Sequence, residues 1–344
     1  MGRPRRRTGP RLAPAGTLAT ASRFAGKHSA CRQLVDGNAG RTLWSERFDD
    51  RLDDLFDLQD RIAAKVAGQI SPNLRTAEIA RARTSPPEDR TAYDLTLTAL
   101  PHFWAHKRED NLSAINILDR AIACDPDYPL ALALKAWCHA HKCSYLWSDT
   151  PAEERRTALE NANHAAVLAA DHAPTLVAIG AAISLTSLDR EQAESFIDRA
   201  LAIDPNNAWG WLRKGWLNSL NNLPDAALDH FARAEALSPL DPFRFNMEFG
   251  KANALAELGR IEEAIVLVKS GLNMAPGVTW AYRMLTAYYG LLGKDDEART
   301  ALQTFLKHYP GMTIQKMQDS MPPSIFETQK AYLEGMRKAG VPEE

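Results

Sequence analysis

The chain has no long uncharged apolar run. Its longest body stretch free of Asp, Glu, Lys and Arg extends from His172 to Leu188 and contains Pro174 and several hydroxyls. That falls short of the roughly 20 apolar residues a spanning helix needs, so no membrane span is expected and the stretch reads as a buried helix. Cysteine is also scarce, with four in 344 residues (Cys31, Cys124, Cys138, Cys143). So few thiols exclude a disulfide framework and point to a reducing, cytoplasmic setting. Basic charge is short outside the N-terminus. Seven of the 41 Lys and Arg (Arg3, Arg5, Arg6, Arg7, Arg11, Arg23, Lys27) lie in the first 30 residues, where no acidic residue occurs. The rest carries 34 basic against 43 acidic side chains, so nucleic acid is not an expected partner of the main fold.

Catalytic signatures are missing as well. Gly290-Leu291-Leu292-Gly293-Lys294 lacks both the spacing and the following Ser/Thr of a phosphate loop. There is no His-Glu-x-x-His, no nucleophile elbow and no flanked pair of metal-binding aspartates. Asp49-Asp50 and Asp53-Asp54 read as a solvated helix start. Cys138-His139-x-His141-x-Cys143 has metal-ligand types, but on a helix Cys138/His141 and His139/Cys143 fall on different flanks, whereas zinc needs converging ligands. No enzyme, cofactor or metal is expected.

What the chain does have is an internal period. Pro205 to Pro239, Pro242 to Pro276 and Pro276 to Pro310 are each 34 residues apart, with a three-residue slip between Pro239 and Pro242. Twelve residues before a helix-closing proline stand Ala114, Ala193, Ala227, Ala264 and Ala298. Eight before stand Leu118, Ile197, Phe231, Val268 and Leu302. Five before stand Ala121, Ala200, Ala234 and Gly271, with Phe305 as the exception. Small residues let a neighbouring helix approach while the large one fills the gap between them. A helix pair stacked at this stride buries its face on its neighbour, so the chain needs no single large core.

These positions resemble the tetratricopeptide repeat (TPR) family. The unit from Ala208 to Asp241 carries the pattern best, with Trp211, Gly215, Ala227, Phe231, Ala234 and Pro239. The last full unit has Tyr282, Leu285, Tyr289, Ala298, Leu302 and Pro310, with Thr286 where Gly or Ala is usual. About six helix–turn–helix units are expected over residues 92–310, in an all-α, right-handed helical-repeat solenoid. The second unit has a dozen extra residues, read as a longer loop around Trp147–Pro151 with Asp149 or Thr150 capping the next helix. Residues 311–344 are expected to add a capping helix near Ser324–Ala339, contacting the last repeat through Ile325, Tyr332, Leu333 and Met336.

The front end differs. Leu34-Val35 and Thr42-Leu43-Trp44 flank a turn-rich Asp36–Gly40, so a small β-hairpin is expected, followed by an amphipathic helix over Leu52–Ile70 and another over Asn73–Arg83. Residues 31–85 resemble part of the TolB-like domain that accompanies such repeats in bacterial regulators. The matching strings are Gln33-Leu34-Val35-Asp36, Leu43–Asp49 and Leu55–Asp60. The resemblance implies the C-terminal region of an adenylate/guanylate cyclase-like or winged-helix regulator whose output domain and front half are missing from this chain. Residues 1–30 read as a disordered basic tail, and Pro14 and Gly16 interrupt the only apolar run behind Arg5-Arg6-Arg7 that could serve as an export signal.

The family resemblance also implies where a partner would sit. First helices of each pair line the groove, which places Trp209, Leu212, Arg213 and Trp216 there from one unit, Asn246, Phe249 and Asn253 from the next, and Trp280 and Arg283 from the last. Aromatics and Arg suit a binding surface because they bury much area at low entropic cost. The expected partner is a protein or peptide segment, with a homo-oligomer as the other option. The lysines that clamp a peptide carboxylate in some family members are absent from these positions.

Overall fold

The computed structural model describes residues 17–24, 27–35, 42–51, 76, 78–84, 86, 90–187, 189–239, 241, 243–321 and 330–344. The chain divides into two compact units, Met1–Glu78 and Ile79–Glu344.

In the first unit three strands, β1 (Thr17–Phe24), β2 (Lys27–Val35) and β3 (Thr42–Arg51), form an antiparallel sheet in the order β1-β2-β3. β2 and β3 pair across the turn-rich loop, with a register shift between Leu34 and Val35. β1 is an addition to the expected hairpin, and it lies in the stretch whose composition suggests disorder. The reason is local: the Arg- and Pro-rich start is followed by Thr17-Leu18-Ala19-Thr20, whose β-branched residues suit a strand, and Phe24 pairs with Lys27 across a two-residue link. A third strand also supplies what an isolated hairpin lacks for stability. The expected helix over Leu52–Ile70 lies outside the described residues, whereas residues 78–84 are helical.

The second unit is a stack of six helix pairs. They are α1 (Ala92–Ala105) with α2 (Arg108–Cys124), α3 (Pro129–Ser144) with α4 (Pro151–Leu168), and α5 (Ala173–Thr186) with α6 (Arg190–Ile203). Then come α7 (Ala208–Leu220) with α8 (Pro224–Leu237), α9 (Arg244–Glu257) with α10 (Ile261–Met274), and α11 (Tyr282–Leu292) with α12 (Asp295–His308). Two further helices close the chain, α13 (Ile314–Ser320) and α14 (Lys330–Lys338).

Side chains start these helices in the expected way. Thr91 and Asp94 form a capping box on α1, Asp189 accepts from the Gln192 N–H at 2.8 Å, and Asn207 accepts from the Gly210 N–H at 2.9 Å. Thr150 stands at the N-cap of α4 but makes no side-chain cap; Pro151 at the first turn needs one donor fewer satisfied. The extra residues of the second unit lie partly in a longer connection, 145–150, against 221–223 between α7 and α8, and partly in the helices themselves. The latter lengthen α3 and α4 to 16 and 18 residues, against 13 and 14 for α7 and α8. Their contact is made of alanines: Ala158, Ala162 and Ala165 are fully buried, so two long helices lie close without a large plug.

Elsewhere the plug is present. Ala114, Ala193, Ala227 and Ala264 are fully buried, as are Leu118, Ile197, Phe231 and Val268 between them. The Phe231 ring sits where α7 and α9 offer glycine: a Cβ on Gly215 would lie 2.7 Å from it, and one on Gly250 would lie 2.5 Å from its Cε1. Phe249 of α9 lies in the same way against a glycine, Gly271 of its partner helix α10. α5, built from the charge-free stretch, is buried on nearly every side.

The C-terminal cap differs in part from the expectation. α14 packs on α11 through Leu333 and Met336, with Gly335 against the Ala287 carbonyl, while Ile325 lies outside the described residues. α13 is an element with no counterpart in the sequence reading. Its first amides, Ile314 and Gln315, donate to the carbonyls of Pro342 and Glu343 at 2.8 and 3.0 Å, so the chain end satisfies the start of this short helix. α13 also reaches the second pair: Arg155 Nη1 on α4 donates to the Asp319 carbonyl at 2.6 Å.

Candidate functional site

Aromatic side chains from several first helices and their flanks pack on one another. Phe103 of α1 meets Trp209 edge-on at 5.7 Å, and Trp209 stacks on Phe243 at 6.3 Å. His106 lies 5.0 Å from Phe243 and 5.1 Å from Phe245, and its Nδ1 is 2.5 Å from Tyr145 Oη. Full burial holds the His106 imidazole at a pKa of about 3, and burial with the nearby Arg213 charge keeps His141 far below the ordinary histidine value. Both rings are therefore neutral packing groups at neutral pH.

The nine groove positions divide accordingly. Leu212 and Phe249 are fully packed inside, and Trp209 is wedged among aromatics, so these three do not face the remaining space. Arg213, Trp216, Asn246, Asn253, Trp280 and Arg283 line a single pocket. It encloses about 90 Å³ behind its mouth, below the roughly 300–1,000 Å³ of drug-sized ligand sites, so it suits a small guest.

The pocket's electrostatics are one-sided. Arg213 is 5% exposed, its Cζ lies 4.4 Å from the Trp137 ring centroid, and its Nε has no hydrogen-bond partner among the described residues. Burial lowers its pKa to about 10, with Tyr145 pulling back the other way, so the guanidinium stays charged at neutral pH. Arg283, half-buried, places its Cζ 4.9 Å from the Trp280 ring centroid. No Asp or Glu side chain lines the pocket among the described residues. Two amides hold the frame: Asn246 Oδ1 accepts from Trp216 Nε1 at 2.8 Å, and Asn253 Nδ2 donates to Ser219 Oγ and Glu257 Oε1 at 2.8 and 2.6 Å.

Sequence reading missed two parts of the wall. One is the stripe Trp137, His141, Tyr145, spaced by four along α3 and its end, a helical face interleaved with the cysteines and histidines that draw the eye as metal ligands. The other is Met317, Met321 and Tyr332 from the C-terminal cap, which no periodicity links to the repeats. The Cys138–Cys143 residues scatter. Cys138 is buried, His139 Nδ1 is 2.6 Å from Glu154, and Cys143 faces the Pro151 carbonyl. Among the described residues no group of three His, Cys, Asp or Glu could hold a metal ion, and no helix is long and apolar enough to cross a membrane.

With this geometry in view, comparison with known proteins supports the architecture. One chain of the crystal structure of the APC/C hetero-tetramer Cut9–Hcn1 superposes with a TM-score of 0.50 at 16% identity, over 78% of this chain and 49% of that one. A tetratricopeptide repeat protein from Parabacteroides merdae gives 0.46 at 14% identity, over 80% and 98%. The fold is a TPR-like helical repeat. In sequence, a putative adenylate cyclase 3 from Rhizobium meliloti (strain 1021) is 29% identical over 101 residues, which is 29% of this chain and 17% of that protein. The TPR-like chain thus spans less than half the length of either the cyclase or the Cut9–Hcn1 chain. No protein-family model matches it.

Proposed function

We propose that the chain is a non-catalytic scaffold or sensor module that holds a protein segment at its inner face. The observation that supports this reading is the cluster of Arg213, Arg283, Trp216 and Trp280 around one opening. Aromatic and Arg side chains concentrated at a recess are what binding hot spots use. The unpaired thiols Cys124, Cys138 and Cys143 fit a reducing cytoplasmic setting, and self-association is a second mode of protein contact.

The test is co-purification from source cells with Arg283→Glu, a half-exposed position whose charge can be reversed without unfolding the core. The expected outcome is loss of the co-purifying protein with an unchanged melting temperature; equal recovery contradicts the reading.

The cyclase match favours a second reading, in which this chain is the regulatory portion of a cyclase-like or winged-helix regulator, with residues 31–85 a TolB-like part. Sequencing the DNA upstream of Met1 tests it. An in-frame cyclase or winged-helix domain supports this reading, and an unrelated gene there contradicts it.

A further inference from the structure

We propose that the inner pocket is a binding site for a small organic anion whose charge is carried on a flat apolar body. This goes beyond capture of a protein segment and does not require one.

Three observations converge on this chemistry. The first is the charge of the wall: two guanidiniums, Arg213 and Arg283, and no carboxylate among the described lining residues. A buried arginine is ordinarily paired, because an unpaired buried charge is costly. Arg213 is instead 5% exposed with its Nε unsatisfied among the described residues, and its guanidinium lies over the face of Trp137. An anion in the pocket completes that pairing. Arg213 lies over Trp137 and Arg283 over Trp280, and these rings are joined through His141 and Tyr145, so both cations border one aromatic cluster.

The second observation is shape. The pocket lining includes Trp216, Trp280 and Tyr145, flat aromatic surfaces that suit a planar ring. Asn246 and Asn253 are tied to Trp216 and to Ser219 and Glu257, so they fix the wall in place.

The third is closure. Met317, Met321 and Tyr332 of the C-terminal cap contribute to the lining, and α13 is bonded to α4 through Arg155 and the Asp319 carbonyl. A recess bordered by methionines takes a compact ligand. Methionine is also the side chain that best adapts to the outline of an apolar guest.

The test is isothermal titration calorimetry on the full chain with three probes: indole-3-acetate, phenyl phosphate and the uncharged indole-3-acetamide. At least one anion is expected to bind, with the amide weaker by about tenfold or more, a clear difference on the affinity scale. Arg213→Met keeps the stem on Trp137 and should weaken the anion about tenfold while leaving the amide unchanged. Arg283→Met, at a half-exposed position, should do the same and keeps the test sound if the Arg213 variant does not fold. The relative affinities of the two anions distinguish a carboxylate ligand from a phosphate one. Absence of binding by both anions, an amide that binds as well as the acid, or anion affinity unaffected by the folded arginine variants each overturns the proposal.

Discussion

Phe231 lies between Gly215 and Gly250, on helices either side of its own, and neither glycine could carry a Cβ without striking the ring. Replacing Phe231 with Ala should cost roughly 3–5 kcal/mol in denaturant melts, the range for a large buried ring. Gly250→Ala should also destabilise, but much less so in a Phe231→Leu background, because the two changes act on the same space. A fully additive pair would place the ring elsewhere. The same logic explains the last repeat. Thr286 fills the usual glycine position, and there Leu302 is only half-buried while Phe305 is the fully buried plug. Glu257 gives a second prediction at this scale. Burial raises its carboxyl pKa to about 7, against the hydrogen bonds from Ser219 and Asn253 that favour the ion. The fold therefore prefers the protonated acid. Stability should be greatest from this group below the ordinary carboxylate range and be lost as pH rises through about 7. Glu257→Gln should match the parent near pH 4 and exceed it above pH 8 by up to about 3 kcal/mol, the free energy that holds the proton on this buried carboxyl up to neutral pH. His106 works in the opposite sense: its pKa lies at about 3, so its share of stability is lost as pH falls from the ordinary histidine value towards 3.

Among the elements, the repeat pairs are legible in the sequence and the ends are not. Alanine at fixed distances from proline identifies a helix that others approach closely, and each such alanine from Ala114 to Ala264 is fully buried. β1 and α13 have no such signature. β1 gains its order from pairing with β2, and α13 from amide bonds to Pro342 and Glu343, far along the chain. The site is half legible for a related reason. The family resemblance implies groove positions for Arg213, Trp216, Asn246, Asn253, Trp280 and Arg283, which line one pocket, but it cannot say that Trp209 and Phe249 pack against Phe243 and Trp280. Gly335 makes the cap testable. A Cβ there would strike the Ala287 carbonyl and come within 2.8 Å of Leu291 Cγ, so α14 lies nearly backbone to backbone on α11. Gly335→Val should lower the melting temperature and increase binding of a hydrophobic dye as Leu333 and Met336 are uncovered. A variant that melts like the parent would mean the cap rests on other contacts.

For the whole helical unit, ordinary repeat stacking couples each pair only to its neighbours, so a disturbance at one end fades along the stack. Here the C-terminal cap returns to the second pair through Arg155 and Asp319, and its methionines share a pocket with Trp137 of α3. That return contact brings the cap's methionines to the pocket wall and joins pairs that are distant in sequence. The most direct test is hydrogen–deuterium exchange on the full chain carrying Gly335→Val. The account predicts faster exchange not only in α11 but also in α3 and α4, which lie far from the substitution in sequence; a change confined to α11, α12 and α14 would contradict it.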